Sequence, residues 1–173
     1  MHSGLQSPTR VGSAMRAHTS SGVASTTMLH SSTPTFCFDR GVIDWDGLRD
    51  HAIGASAAAY APYSGLHVGA AALVKIDSGD QSRIVTGCNV ENASYGLGLC
   101  AECTLAGQLR LTGGGRFVAV AVRSASGALL MPCGRCRQVL YELGGAECLL
   151  DTPSGPRSLV EVLPDAFGPA DLP

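Results

Sequence analysis

The sequence predicts an α/β fold in which a mixed sheet of about five strands is covered by helices on both faces, giving three α/β/α layers. Two patterns predict this architecture. Segments with helical spacing of apolar residues alternate with short runs of small and branched apolar residues. In the predicted strand over 117–123, every residue before Arg123 is apolar, as in a strand buried on both faces. The chain has 173 residues, 45% of them hydrophobic, which is enough for one domain with a sizeable core.

The individual elements are predicted from caps and breakers as well as from periodicity. Asp44 is a good N-cap for the first helix, and glycines end the second and third helices. The polar segment 77–80 is the predicted turn of a hairpin. In chain order the predicted elements are a helix over 45–59, strands over 68–76 and 84–88, a helix over 99–111, a strand over 117–123, a helix over 133–143, a strand over 147–150 and a helical turn over 159–163.

Two regions are predicted along the chain, an extension over 1–38 and a folded domain over 39–173. The extension is rich in serine and threonine, has no acidic residue before Asp39 and shows no sustained period, so we expect it to be disordered. Its arginines and its lack of acids faintly resemble a transit peptide. A dispensable extension, or a later start at Met15 or Met28, explains the same composition and is the favoured interpretation.

Composition and charge exclude several classes of function. The formal net charge is −2, with 12 basic and 14 acidic side chains, so the chain lacks the basic face expected of a protein that binds a nucleic acid polymer. No apolar run approaches the ~20 residues that span a membrane. Seven cysteines are an odd number, and four of them form two tight clusters, which in a reducing compartment indicates metal binding or catalysis. We therefore expect a cytoplasmic protein with no membrane partner.

Three cysteines form the predicted metal site. Cys100 and the pair Cys133 and Cys136 stand at predicted helix starts, where free N–H groups and the helix dipole favour the thiolate that binds metals. The pair is three residues apart and so shares one face of the first helical turn. Three protein ligands with a fourth position open to water are the arrangement of a catalytic zinc ion. Cys103 lies one turn further along its helix and is expected to point away from the metal.

Glu102 decides between a structural and a hydrolytic zinc site. A hydrolytic site needs a base that takes a proton from the metal-bound water and returns it to the leaving group, whereas a structural site needs no carboxylate. Glu102 is two residues past a ligand and is expected to reach the water without binding the metal. This combination of three ligands and one glutamate is typical of zinc-dependent deaminases of nucleobases.

Four stretches that include this site resemble the homotetrameric, zinc-dependent cytidine deaminases that act on free nucleosides. They are Ala-Tyr-Ala-Pro-Tyr-Ser-Gly over 59–65, Cys-Asn-Val-Glu-Asn-Ala-Ser-Tyr-Gly over 88–96, Cys-Ala-Glu over 100–102 and Pro-Cys-Gly-Arg-Cys-Arg-Gln over 132–138. The similarity runs from about residue 44 to 167. Cysteine rather than histidine before Ala-Glu points to the free-nucleoside branch. The resemblance implies that cytidine and deoxycytidine are hydrolysed to uridine, deoxyuridine and ammonia, with one zinc ion per subunit.

The resemblance also implies how the substrate is held. Asn89 and Glu91 match the pair that hydrogen-bonds the ribose, chiefly its 3′-hydroxyl, and Ala101 would contact the pyrimidine edge through its backbone. Tyr95 would line the pocket near a subunit boundary. Phe167 would reach into the active site of a neighbouring subunit, so that the pocket is completed only in the homotetramer.

Two positions depart from the common pattern of that family. Leu66 stands where an aromatic residue commonly packs on the base, so stacking must be arranged differently. Cys103 stands where an arginine commonly offsets the net negative charge of zinc bound by three thiolates. The sequence suggests that Arg137, one residue past a ligand, takes part in that charge balance, although a surface arginine explains the position equally well.

Other functions explain less of the pattern. A redox Cys-x-x-C over 133–136 leaves Cys100 and Glu102 unexplained. A dinucleotide fingerprint over 96–101 lacks the acidic residue needed about 20 positions on, because no Asp or Glu lies between Glu102 and Glu142. A zinc-stabilised module without activity would not need Glu102. The remaining alternative is a deaminase of a cytosine-nucleoside antibiotic such as blasticidin S, which shares the Cys-Ala-Glu motif.

Overall fold

The structure is a computed structural model that describes residues 42–76 and 81–173. The predicted extension over 1–38, the predicted domain start at 39 and the hairpin turn over 77–80 lie outside the described residues. Within those two ranges, no helix combines the length and the apolar character needed to cross a membrane.

A mixed sheet of five strands forms the centre of the fold, as predicted. The strands are β1 (Val68–Lys75), β2 (Ser82–Cys88), β3 (Arg116–Ser124), β4 (Leu149–Leu150) and β5 (Arg157–Ser158). They lie in the order β2-β1-β3-β4-β5. The strand β1 pairs antiparallel with both β2 and β3. The central strand β3 pairs parallel with β4, and β4 pairs antiparallel with β5.

Four α-helices accompany the sheet within the described ranges. They are α1 (Trp45–Ser56), α2 (Ala101–Leu111), α3 (Gly134–Gly144) and the short α4 (Leu159–Val162). The predicted cap of α1 is confirmed, because the Asp44 carboxylate accepts a hydrogen bond from the backbone N–H of Gly47 at 2.9 Å. Helix α3 forms the crossover that the parallel pair of β3 and β4 requires. Short 3₁₀ turns occupy Tyr95–Leu97 and Pro169–Asp171.

Helices cover both faces of the sheet, which confirms the three-layer prediction. One buried cluster lies between α1 and the sheet, and its members are Leu48, Ala52, Ala71, Leu73, Ala119 and Ala121. The larger cluster lies on the opposite face under α2 and α3 and includes Leu105, Leu109 and Leu140 from those helices. Strand β3 contributes side chains to both clusters, as expected of a strand buried on both faces.

Several predicted boundaries differ from the observed ones by a few residues. Helix α1 ends at Ser56 rather than at 59. Helices α2 and α3 begin one or two residues later than predicted, because Cys100 and Cys133 are N-caps with extended backbone rather than helical residues. Strand β4 has two residues instead of four, and β5 is absent from the predicted elements, because a two-residue strand carries no detectable period.

Candidate active site

The three predicted ligand thiols converge where α2 and α3 begin. Cys100 caps α2, Cys133 caps α3, and Cys136 lies in the first turn of α3. Their sulfur atoms all lie within 4.8 Å of one another, and the sulfurs of Cys133 and Cys136 are 3.5 Å apart. A tetrahedral zinc ion with Zn–S bonds of about 2.3 Å holds its sulfurs ~3.8 Å apart, so the cluster fits that ion. Among the described residues, Cys103 is not a member of the cluster, as expected.

The environment of the three thiols favours a bound cation. Backbone N–H groups of Cys136 and Arg135 donate to Cys133, and the bond from Cys136 is the largest cause that lowers the pKa of the Cys133 thiol. Burial is the largest cause that raises the pKa of Cys136 and of Cys100. The other two thiols raise the pKa of Cys136 further, whereas for Cys100 the charge of Cys133 raises the pKa and the hydrogen bond with Cys136 lowers it. Thiols packed this closely ionise together only when a positive charge offsets them. Three converging thiolates are ligands that zinc prefers.

Glu102 lies in the first turn of α2 beside this cluster. The residue is only 4% exposed. After burial, its charge is the next largest cause of the raised pKa of Cys136, and it also raises the pKa of Cys100, so the carboxylate lies next to the thiols. It is not one of the three clustered ligands. A buried carboxylate that adjoins a metal site without binding the metal is placed to carry protons.

Close packing of α2 on β2 positions the cluster. At Gly87 of β2 a Cβ atom would lie 2.4 Å from the backbone nitrogen of Leu105, so only glycine lets the helix approach this closely. The hydroxyl of Thr104 donates to the carbonyl oxygen of Cys88 at 2.7 Å. These contacts place the start of α2, with its thiol ligand and its glutamate, beside the segment that follows β2.

The segment after β2 lies between two other pieces of chain and borders a cavity. Val90 exchanges two backbone hydrogen bonds with Leu99, at 2.9 and 2.8 Å. On the other side, the backbone N–H of Tyr60 donates to Asn89 at 3.0 Å, and that of Glu91 donates to Tyr60 at 2.8 Å. The cavity next to this segment measures about 310 Å³. Its lining residues are Tyr63, Ser64, Glu91, Asn92, Tyr95 and Gly98.

The side chain of Asn89 spans the start of β1. Its Oδ1 accepts from the backbone N–H of Val68 at 2.8 Å, and its Nδ2 donates to the carbonyl oxygen of Leu66 at 2.9 Å. An amide carries two donor hydrogens, so one remains for another partner. Asn89 therefore shapes the loop before β1 and still has a donor to offer.

The carboxylate of Glu91 is held by the same loop. Its Oε2 accepts from the backbone N–H groups of Tyr63 and Ser64 at 2.9 and 3.2 Å, and its Oε1 accepts from the hydroxyl of Ser64. The hydroxyl of Ser64 is the largest cause that lowers the pKa of Glu91, followed by the N–H of Tyr63. Glu91 thus presents an anion at the cavity. Ser64 is a contact that the sequence does not single out, because its only signal is a serine in a turn motif.

The remaining predicted substrate residues lie in different surroundings. Ala101 begins α2 and is buried, whereas Leu66 in the loop before β1 is half exposed. Tyr95 lines the cavity from its 3₁₀ turn and is 86% exposed. Phe167 lies in the C-terminal segment, where its carbonyl oxygen accepts from Gln138 of α3 at 2.7 Å, and its exposed fraction is 60%.

The structure corrects the expectation that Arg137 accompanies the thiols. The guanidinium group of Arg137 donates to two backbone carbonyl groups at 2.9 Å each. Arg135 lies there instead, with one nitrogen 3.6 Å from the sulfur of Cys103 and 3.9 Å from the sulfur of Cys100. Its position between Cys133 and Cys136 makes it a candidate in the sequence, but Arg137 lies just as close to Cys136 along the chain.

Comparison with known proteins gives close similarities in sequence. Residues 47–151, which include the three thiols and Glu102, match the family described as the cytidine and deoxycytidylate deaminase zinc-binding region. A cytidine deaminase of Mycobacterium tuberculosis is 59% identical over 131 residues, which cover 76% of this chain and 95% of that protein. A cytidine deaminase of Halalkalibacterium halodurans is 38% identical over 135 residues, covering 75% of this chain and 98% of the relative.

Solved structures agree with these relatives. The crystal structure of cytidine deaminase from Mycobacterium tuberculosis matches with a TM-score of 0.68 and 59% identity, covering 73% of this chain and 99% of that one. The crystal structure of cytidine deaminase from Mycobacterium leprae matches with a TM-score of 0.67 and 51% identity, covering 72% of this chain and all of that one.

Proposed function

This chain belongs to the cytidine deaminase family, and from that premise we propose how its own residues perform the reaction. It is a hydrolytic enzyme that replaces the amino group at C4 of cytidine by oxygen from water and releases uridine and ammonia. The observation that carries the assignment of its active site is the cluster of three thiols beside a buried glutamate, at the starts of two helices. We propose that the enzyme also deaminates deoxycytidine to deoxyuridine.

Cys100, Cys133 and Cys136 are proposed to hold one zinc ion per subunit. Among the described residues they are the group whose ligand atoms have metal-binding spacing, which supports a single ion. Zinc held by three protein ligands, with a fourth position open, supplies the Lewis acid that lowers the pKa of water from about 15.7 towards about 7. The two helix N-termini supply N–H groups and a partial positive charge that stabilise the thiolates.

Glu102 is proposed to move the protons. As an anion it accepts a proton from the attacking water and passes it to N3 of the pyrimidine while the bond between C4 and the water oxygen forms. It then takes the second proton from that oxygen and gives it to the amino group. The C4–N bond breaks, ammonia leaves and the C4 carbonyl of uridine remains. Its burial supports this role, because a carboxylate screened from solvent keeps the proton within the site.

The cavity is proposed to take the nucleoside sugar. Glu91 offers an anionic acceptor in the lining of the cavity. Asn89 is not a lining residue, but it lies two positions earlier and has a free amide hydrogen; the two groups suit the hydroxyl groups of a ribose. The backbone of Ala101 begins α2, where N–H groups have no helical partner, and is proposed to meet the pyrimidine edge. Leu66 would give the base an apolar contact in place of an aromatic ring, and Tyr95 would form the wall of the cavity.

Replacing Glu102 tests the proposed proton carrier. In the zinc-loaded enzyme we expect Glu102→Gln to retain its zinc and to lower kcat about 10³-fold, because the amide cannot accept the proton from water. The loss of the cytidine absorbance band measures turnover, and atomic absorption measures zinc. Glu142→Gln, at an exposed position of α3, is the control and should leave both unchanged. A Glu102→Gln enzyme with full zinc and full turnover would contradict the role.

We propose that the enzyme is a homotetramer in which Phe167 packs into the active site of a neighbouring subunit. Three apolar side chains support this, since Tyr95, Leu97 and Phe167 are 86%, 66% and 60% exposed and would be covered by another copy of the chain. Light scattering should then give the mass of four chains. We expect Phe167→Ala to lower kcat/KM about tenfold without loss of zinc. A fully active monomer would contradict the proposal.

The substrate is proposed to be the free nucleoside rather than an antibiotic such as blasticidin S, because the relatives at the highest identities reported above are cytidine deaminases. A redox role for Cys133 and Cys136 is not favoured, since both are free thiols that point at a third thiol. Free thiols also support a location in the cytoplasm, where cysteines stay reduced.

A further inference from the structure

The loop that precedes β1 wraps around one carboxylate. Tyr63 and Ser64 bring two backbone N–H groups to Oε2 of Glu91, and the Ser64 hydroxyl meets Oε1. All of these contacts are local to the wall of the 310 Å³ cavity, because Tyr63, Ser64 and Glu91 are among its lining residues. The orientation of the carboxylate at the cavity is therefore set by the loop.

The direction of the hydrogen bond between Ser64 and Glu91 is fixed by a third group. The Ser64 oxygen lies 3.0 Å from the backbone nitrogen of Leu66, whose N–H can only donate. A hydroxyl has one hydrogen and accepts with its lone pairs. Ser64 therefore accepts from Leu66 and gives its single hydrogen to Glu91.

Counting acceptor sites limits what Glu91 can still bind. An ionised carboxylate has about four lone-pair sites, and three donors from Tyr63 and Ser64 already occupy three of them. One site remains for a ligand in the cavity. Glu91 is thus suited to a single hydroxyl group rather than to two neighbouring ones.

We propose that Ser64 is a positioning residue that holds Glu91 so that its one free acceptor site takes a single hydroxyl of the nucleoside sugar. This inference rests on the proposed contact between Glu91 and the sugar. Without the Ser64 hydroxyl, Oε1 loses its protein donor and the carboxylate can rotate about its last side-chain bond, which turns broadly. The loop keeps the two backbone donors, so the fold of the segment does not depend on the hydroxyl alone.

Kinetics with two substrates test the proposal in the zinc-loaded, full-length enzyme. The values to be measured are kcat and KM for cytidine and for 3′-deoxycytidine, in the wild type, Ser64→Ala and Ser64→Thr. We expect Ser64→Ala to lower kcat/KM for cytidine about tenfold, mainly through KM, because one hydrogen bond to the sugar is weakened. For 3′-deoxycytidine the same variant should match the wild type within about twofold. Ser64→Thr, which keeps the hydroxyl, should restore the value for cytidine.

Two controls separate this role from general loosening of the loop. Ser94→Ala removes an exposed hydroxyl three residues past Glu91 and should leave kcat/KM unchanged for both substrates. In a Glu91→Gln background, Ser64→Ala should have no further effect on cytidine, because the two residues act as one unit. The ratio of the two substrates is measured on one preparation and is independent of the folded fraction.

Three results would overturn the inference. An equal loss of kcat/KM for both substrates in Ser64→Ala would show that Ser64 only supports the loop. An unchanged kcat/KM of Ser64→Ala for cytidine would show that Glu91 is held in place without the hydroxyl. Equal kcat/KM values of the wild-type enzyme for cytidine and 3′-deoxycytidine would instead refute the contact between Glu91 and the sugar. The inference about Ser64 would fall with it.

Discussion

At the scale of single residues, the guanidinium group of Arg135 places a positive charge beside the thiols. The charge of Cys103, followed by that of Cys100, raises the pKa of Arg135, so it stays a cation. Three thiolates leave a zinc site with a net negative charge that a neighbouring cation offsets. We expect Arg135→Gln to lower both zinc affinity and turnover about tenfold, measured by competition with a chelator and by the initial rate of cytidine loss.

Arg137→Gln is the matched control for this variant. Because Arg137 donates to the carbonyl groups of Pro132 and Val162, its loss should lower the thermal unfolding temperature and leave zinc affinity unchanged. Adding Cys103→Arg to Arg135→Gln should recover zinc affinity, since the Cys103 side chain adjoins the place that the guanidinium occupies. Equal zinc affinity in the wild type and in Arg135→Gln would contradict the role.

Spacing along the chain is enough to predict that the thiols of Cys133 and Cys136 converge, but not which arginine accompanies them. Cys133 and Cys136 share a helix face at any helix start, so their pairing needs no knowledge of the rest of the fold. Arg135 and Arg137 each lie about 100° from Cys136, in opposite directions around α3. The choice between them is made by α2, which brings Cys103 to the side of Arg135.

At the scale of secondary-structure elements, length decides what the sequence predicts. The helices α1, α2 and α3 and the strands β1, β2 and β3 have 7 to 12 residues each, and their existence and type are predicted correctly. The strand β5 and the turn Tyr95–Leu97 have two and three residues, too few for a period. Pairing with β4 defines β5, whereas local hydrogen bonds to Ser94 and Tyr95 define the turn.

Gly69 and Gly87 in the hairpin of β1 and β2 mark close contacts with helices, but periodicity does not predict which helix makes each contact. A Cβ atom at Gly69 of β1 would lie 1.9 Å from the carbonyl oxygen of Ala52 in α1, and one at Gly87 of β2 would lie 2.4 Å from the backbone of Leu105 in α2. A glycine inside a strand indicates a close backbone approach. Which helix makes that approach depends on how the chain returns to the sheet, so the assignment of α1 and α2 to opposite faces required the structure.

At the scale of the whole molecule, one buried carboxylate connects three elements. Asp151 follows β4 and is 1% exposed. It accepts hydrogen bonds at 2.8 and 3.0 Å from Arg49 of α1 and another from Arg123 at the end of β3. Burial alone would raise the pKa of Asp151, but the bonds from Arg49 and Arg123 outweigh it and hold the pKa below its ordinary value.

This network should make stability depend on pH in a defined direction. A carboxylate whose pKa is lower in the folded than in the unfolded chain stabilises the fold above about pH 4, and that contribution is lost as the pH falls towards the folded pKa. We expect Asp151→Asn to lower the free energy of unfolding by about 3 kcal/mol at neutral pH, because it leaves the buried Arg123 without its charge partner. Urea titrations of the wild type and the variant should show this difference shrinking below about pH 4.

Asp46→Asn is the control that separates the effect of a buried carboxylate from that of an exposed ion pair. Asp46 also binds Arg49, at 2.8 Å, but its side chain is 91% exposed, so its removal should change the free energy of unfolding by no more than about 0.5 kcal/mol at any pH. Loss of zinc in acid affects all three proteins alike, and the difference between Asp151→Asn and the wild type therefore isolates the buried carboxylate. If that difference stayed constant into acid, or if Asp46→Asn destabilised the fold as strongly, the stabilisation would come from packing around the side chain and not from its charge.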